Sequence, residues 1–225
     1  MTELSVILPV HNEADIIEAT FQDIYKAVRK TVKSSDFILV ENGSQDNSLQ
    51  VSKKICQKYT DTRFAVAPKG YGSAVLKGLE LARGKYVCYM PSDGQISLEV
   101  FPQLWAKAKT GKWQLVKVKR TTRESFWRTF VSISFSIIMW LFFKTPLVDI
   151  NGSPRIFERR YLPALDLKSK DSFIDAEFLI KLTRLGWSVR EIPMRTLPRL
   201  GGKSTRSIKT FFEFFVNIYK FKFKR

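Results

Sequence analysis

The first half of the chain alternates short apolar runs with stretches whose apolar residues recur at helical spacing. Residues 5–9 (SVILP) read as a buried strand. Residues 14–33 set Ile16, Ile17, Phe21, Ile24, Tyr25 and Val28 on one helical face, with His11 or Asn12 near the start as a cap. Residues 36–40 (DFILV) predict a second strand, ended by the turn-rich 41–47 (ENGSQDN). A helix over 48–59, a strand at 63–67, a helix over 72–82 and a long strand at 85–90 (KYVCYM) follow. Strands and helices in such close alternation predict an α/β fold, a mostly parallel sheet with crossover helices. Ligands of such sheets sit past the carboxyl ends of the strands, so chemistry is expected in the loops after residues 9, 40 and 90.

The second half has a different pattern. Residues 116–119 predict one more strand, and residues 125–143 are mostly apolar, with no charge over 129–143 (TFVSISFSIIMWLFF). Fifteen helical residues rise about 22 Å, short of the roughly 30 Å of bilayer hydrocarbon. A core helix or one lying in the membrane interface is therefore expected, and a span is not. The tail, 207–225, interleaves Phe211, Phe212, Phe214, Phe215, Tyr219, Phe221 and Phe223 with lysines and closes on KFKFKR. Aromatic residues beside basic ones suit the headgroup boundary of an anionic bilayer, although such aromatics can also dock on their own domain. Residues 1–205 are read as one domain and 206–225 as a membrane-associating tail.

Charge sharpens this picture. With 38 basic against 21 acidic residues the chain carries +17, which predicts attraction to anionic lipid or phosphorylated ligands. Nucleic acid is not expected as a partner, because the basic residues are spread along the chain and no nucleic-acid module is recognisable. Cys56 and Cys88 fall in core-like segments and read as buried thiols. The opening MTELSVILPV starts directly as a strand, without a basic leader, so residence on the cytoplasmic side is expected.

Three loops hold the candidate chemistry. Pro9 to Glu13 follows the first strand, and Glu13 can accept from a ribose or base; an ordinary helix cap looks the same. Glu41 to Asp46 offers carboxylates and amides around Gly43, where a plain turn is the competing reading. Met90 to Gln95 ends a hydrophobic strand with Asp93 and Gly94, a place where one carboxylate can hold a hard divalent cation against a diphosphate.

Together, in order and spacing, these loops resemble glycosyltransferase family 2. SVILPVHNE (5–13) resembles that family's opening strand and turn, and LVENGSQD (39–46) its acidic second loop. KGYGSA (69–74) with Gly78 and ARGKY (82–86) resembles the glycine-rich segment before the metal-binding strand. DINGSPR (149–155), DAE (175–177), Gly186, EIP (191–193) and RLGGKS (199–204) are most similar to the dolichyl-phosphate mannose synthase branch. The resemblance covers residues 3–206 and implies a GT-A fold and an inverting hexosyl transfer from a nucleotide sugar, GDP-mannose or a UDP-sugar. It implies a polyprenyl-phosphate acceptor, and with it peripheral attachment to the membrane or recruitment by a membrane subunit.

Residue by residue, the resemblance puts Pro9, Asn12, Glu13, Glu41 and Asn42 in the nucleoside pocket, with Gly70, Gly72 and Ser92 also on the donor side. Asp93 and Gln95 match the metal-binding motif for Mg2+ or Mn2+. Arg120 matches an arginine after the next strand, Arg199 with Ser204 matches a phosphate-contacting loop, and Asp175 and Glu177 match acidic residues facing acceptor or metal. For Glu177 an exposed helix charge, and for Arg199 a solvated loop charge, are the plainer readings. Two departures stand out. Pro91 replaces the first metal aspartate, and Glu41–Asn42 replaces a pair of aspartates. The first predicts weaker metal binding; the second can retune base choice, since an amide also donates. Transfer to a saccharide hydroxyl, with Asp175 as base, and a degenerate non-catalytic subunit are the alternatives.

Overall fold

The computed structural model describes residues 2–121, 126–146, 148–198 and 208–223. Strand β1 (Leu4–Val10) is buried along its whole length and divides its side chains between two cores. Leu4, Val6, Leu8 and Val10 enter one core, and Ile7 enters the other. Side chains alternate across a strand, so a strand covered on both faces must be apolar throughout.

Helix α1 (Ile17–Thr31), strand β2 (Ser35–Glu41), helix α2 (Ser48–Lys58), strand β3 (Thr62–Val66), helix α3 (Tyr71–Leu81) and strand β4 (Tyr86–Tyr89) follow in the expected alternation. Helix α4 (Phe101–Lys109), strand β5 (Leu115–Arg120), helix α5 (Phe126–Phe143), strand β6 (Arg155–Glu158) and helix α6 (Leu162–Leu165) come next. Helix α7 (Ile174–Arg184), strand β7 (Val189–Met194) and helix α8 (Ile208–Phe223) complete the order. The sheet has seven strands in the order β3-β2-β1-β4-β6-β5-β7. Only β6 runs antiparallel to its neighbours. The expected mostly parallel α/β fold is the fold observed.

Several local expectations change. The helix expected from residue 14 begins at Ile17 and has no side-chain cap, because Asn12 turns away with φ 53° and bonds a different loop. The strand expected over 85–90 is the four-residue β4. Cys88 is buried, its thiol pushed up by desolvation, whereas Cys56 is only half-buried and is pushed up to about 11. Elements α4, α6, α7, β6 and β7 have no counterpart in the sequence reading.

The antiparallel β6 has a positional consequence. Its first residue, Arg155, lies opposite Tyr89, the last residue of β4, and opposite Lys117 within β5. Residues 149–154 are thereby delivered to the edge where the ligand loops gather. Helices α5 and α8 pack side by side through Phe135 on Phe214 and Phe143 on Phe221, both against the core that holds Phe173. Among the described residues no helix is long and apolar enough to cross a membrane.

Candidate active site

The turn residues after β1 and β2 bind one another. Asn42 donates its Nδ2 to Val10 O at 3.0 Å, and His11 Nδ1 lies 3.0 Å from Asn42 O. The backbone N of Asn12 donates to Ser44 Oγ (3.0 Å), and Asn12 Oδ1 accepts from Gln45 N (2.7 Å). Glu41 is buried and its carboxylate accepts from Ser44 N. Each bond joins a polar side chain to loop or strand-end backbone, and Asn12, Asn42 and Ser44 do so with short side chains suited to turns.

The third loop is tied to the first. Ser92, fully buried after β4, shares its one hydroxyl proton between Pro9 O at 2.7 Å and the Glu13 carboxylate. Asp93 is also buried, and its Oδ1 accepts from Gln95 N at 3.2 Å. Pro9, Asn12, Glu13, Glu41, Asn42, Ser92, Asp93 and Gln95 thus share one edge of the sheet.

Asp46, which the second loop already offered, and Ser48, which sequence reasoning missed as a site residue, organise this edge. Asp46 accepts from Ala14 N and Ser48 N, both at 3.0 Å, and Ser48 Oγ accepts from Glu13 N at 2.8 Å. Burial alone would raise the Asp46 carboxyl, but hydrogen bonds from Ser48 and Ala14 outweigh it and hold it below its usual range. The signal was present: Asp46 stands two residues before Ser48 at the start of a helix, a capping pattern.

Gly70 and Gly72 are needed for close packing. A Cβ at Gly72 would lie 2.3 Å from Ser169 O, and one at Gly70 would lie 2.4 Å from Lys170 O. Gly70 also has φ 138°, where side-chain-bearing residues are strained. The start of α3 therefore meets residues 169–171, and Ser73 N donates to Lys170 O at 2.9 Å. Glu177 secures the same loop: it accepts from Lys168 N and Ser169 N and pairs with Lys181 at 2.7 Å. It is a buried clamp, not the exposed helix charge weighed as its plainer reading. Desolvation would raise its carboxyl, but the bonds from Lys181, Ser169 and Lys168 win and lower it.

Beyond β4 the polar groups are ionic and buried. Arg120 at the end of β5 donates Nε and Nη2 to the two oxygens of Asp149, each at 2.7 Å, a bidentate fork. Lys117 is fully buried; its Nζ bonds Asp149 O, Val118 O (3.2 Å) and Glu191 Oε1 (3.1 Å). Burial, helped by the nearby Arg155 charge, pulls its pKa down to about 8. Glu191 also accepts from Asp149 N at 2.9 Å. Asp175 accepts from Tyr89 Oη (3.1 Å) and pairs with the buried Arg155 (3.2 Å). Ser153 Oγ donates to Tyr89 O at 3.0 Å, so this network reaches the end of β4, from which the Asp93 loop leaves. Lys117 was the hardest to anticipate, since a lysine alternating with valines reads as a solvated strand face. Arg199 and Ser204 lie outside the described residues.

The donor set at Asp93 fits a hard cation only in part. One carboxylate and one amide stand two residues apart, Pro91 contributes no side-chain ligand, and among the described residues no group of three or more His, Cys, Asp or Glu could hold a metal. Oxygen donors of this kind suit a magnesium or manganese ion shared with a diphosphate, not one caged by protein alone.

Known proteins match this arrangement. The family model for glycosyl transferase family 2 matches residues 5–165. A cholesterol galactosyltransferase of Borreliella burgdorferi is 31% identical over 115 residues, 51% of this chain and 31% of that protein. Glycosyltransferase AglD of Haloferax volcanii is 24% identical over 216 residues, 88% of this chain and 33% of that protein. The chain thus spans about a third of the length of these two relatives. Among solved structures, glucosyl-3-phosphoglycerate synthase from Mycobacterium tuberculosis, in complex with Mn2+, UDP and phosphoglyceric acid, superposes with a TM-score of 0.74. That alignment covers 96% of this chain and 76% of the other at 18% identity, a likeness of fold. With its GT-A architecture and a family match spanning most of its length, the chain belongs to glycosyltransferase family 2.

Proposed function

We propose that the chain transfers a hexose from a nucleotide-diphosphate sugar to a polyprenyl phosphate, with inversion at the anomeric carbon. One observation carries this reading: the three ligand loops meet at one sheet edge, beside an arginine held in a carboxylate fork. Pro9, Asn12, Glu13, Glu41 and Asn42 line the nucleoside side, and Asp93 with Gln95 would hold Mg2+ or Mn2+. When bound, that cation offsets the charge on the departing diphosphate. The solved glucosyl-3-phosphoglycerate synthase with Mn2+ and UDP supports a nucleotide donor, as does a relative named as a galactosyltransferase. GDP-mannose and UDP-sugars are both candidate donors.

The state of Asp175 supports a phosphate acceptor. Its carboxylate is buried and already committed to Tyr89 and Arg155, so it is poorly placed to take a proton from a sugar hydroxyl. A phosphate acceptor is already an anion near neutral pH and needs no strong base. One of its oxygens attacks the anomeric carbon, the bond to the donor diphosphate breaks, and the leaving diphosphate takes the electron pair. Arg199 and Ser204 would orient phosphate oxygens, joined by the Nη1 of Arg120, whose Nε and Nη2 are held by Asp149. Such an acceptor is met at the cytoplasmic face of an anionic membrane, by peripheral attachment or through a membrane-anchoring subunit.

A screen of labelled GDP-mannose, UDP-glucose and UDP-galactose with polyprenyl phosphate in mixed micelles tests this, with labelled glycolipid from one donor expected. Absence of product from every donor, with no donor hydrolysis, would favour the second reading that Pro91 supports: a degenerate partner subunit.

A further inference from the structure

Helices α5 and α8 each show the domain one face and water another. On α8, Phe214, Asn217, Ile218 and Phe221 turn inward, and Asn217 donates to Asp171 Oδ2 at 2.7 Å. That bond and the Phe173 contacts fix the rotation of the helix. Val216 and Tyr219 are left on its outer side. On α5, Phe135, Ile138, Met139 and Phe143 turn inward. Ile133, Ile137, Trp140 and Leu141 form an outward stripe at spacings of four, three and one.

These six outward residues are 43–59% exposed, a concentration unusual for a solvated surface. The helices run parallel, since Phe135 meets Phe214 and Phe143 meets Phe221 further along both. Their outer faces therefore lie on one side of the molecule, away from the shared core. Parallel packing also brings their carboxyl ends together, where Lys144, Lys220 and Lys222 are all exposed. Lys144 lies over Trp140 at 5.0 Å, and Lys222 Nζ donates to Phe142 O at 2.9 Å. Across both helices the sequence holds a single acidic residue, Glu213.

We propose that this two-helix face is the surface that lies in the headgroup region of an anionic bilayer, with the lysine end against lipid phosphates. At about 27 Å and 24 Å the helices are too short to span the hydrocarbon, but an apolar stripe with a cationic end suits the boundary. The face is read from its own geometry. It deepens the lipid-acceptor reading, on which its purpose rests, by stating which side of the molecule meets the membrane.

Flotation of the full chain with vesicles tests it. Wild type should float with phosphatidylcholine containing phosphatidylglycerol and far less with phosphatidylcholine alone. Ile137→Glu/Leu141→Glu should reduce the floated fraction about tenfold or more, and Lys144→Glu/Lys220→Glu should abolish the preference for anionic lipid. Nucleotide-sugar binding should be unchanged in both. Should the first variant fold poorly, brominated lipid gives a second measurement: it should quench wild type more than Trp140→Phe. The inference is overturned if wild type stays with the soluble fraction, or if Ile137→Glu/Leu141→Glu floats like wild type. Conversion of a dimer to a monomer by that variant without lipid would also overturn it, marking a self-association face. Vesicle binding without glycolipid formation would leave this surface standing and defeat the acceptor reading.

Discussion

The two halves of the ligand edge are held by different physics. After β1 and β2 the loops are fixed by short polar side chains bonding nearby backbone, as Asn12, Asn42, Asp46 and Ser48 do. Around β5, β6 and α7 the edge is instead backed by buried ion pairs: Arg120 with Asp149, Lys117 with Glu191, Arg155 with Asp175. Backbone-directed bonds each contribute about 1 kcal/mol and can be lost singly. Buried ionic groups are interdependent, because removing one leaves its partner charged and dry. The first half can therefore tolerate retuning of the residues proposed to contact the base, Glu41 and Asn42, while the second behaves as a unit.

The largest effect should come from breaking that unit. Asp175→Ala strands Arg155 and should cost about 3–5 kcal/mol, read as a lower urea midpoint. Asp175→Asn keeps an acceptor for Tyr89, and its folded protein should transfer sugar within about tenfold of wild type. A loss above about a hundredfold would restore a base at this position.

Asp93→Ala should invert the pattern, with transfer down about a hundredfold or more and stability changed by about 1 kcal/mol at most. Glycolipid formation and urea unfolding measure the two. Excess chelator should likewise stop turnover, and full activity in its presence would refute the role given to Asp93 and Gln95.

Lys117 offers a pH test of the ionic half. Its folded pKa of about 8 lies below the ordinary 10.5, so between those values the unfolded chain binds more protons and stability rises with pH. The gain is fully present above about 10.5 and is lost as pH falls through about 8, an effect of roughly 3 kcal/mol at most. Lys117→Met should lack this rise, and the difference between the two urea curves across the window isolates it.

The smallest effect belongs to the backbone-directed half. Ser48→Ala removes the acceptor for Glu13 N and should cost about 1 kcal/mol, with a raised KM for donor and little change in kcat.

How much was legible follows the same division. Residues 9–13, 41–46 and 90–95 could be placed because turn chemistry is local and alternating apolar runs announce β1 and β2. Strand β6 was not visible: its four residues, RIFE, begin and end in charges and carry no period. Gly70 and Gly72 were expected beside the donor, yet the atoms that forbid a side chain there come from residues 169–171, a hundred positions away.

By itself the sequence determined the α/β class, the parallel arrangement of β1 to β4 and the places of the three loops proposed to carry the chemistry. Hydrophobic period and turn residues act over a few positions and are written in order. Only the tertiary structure decided that Asp149 holds Arg120, that Asp175 and Glu177 are already engaged, and which faces of α5 and α8 meet water. Those outcomes depend on burial and on partners far apart in the chain, and a charge's role is set by what surrounds it after folding.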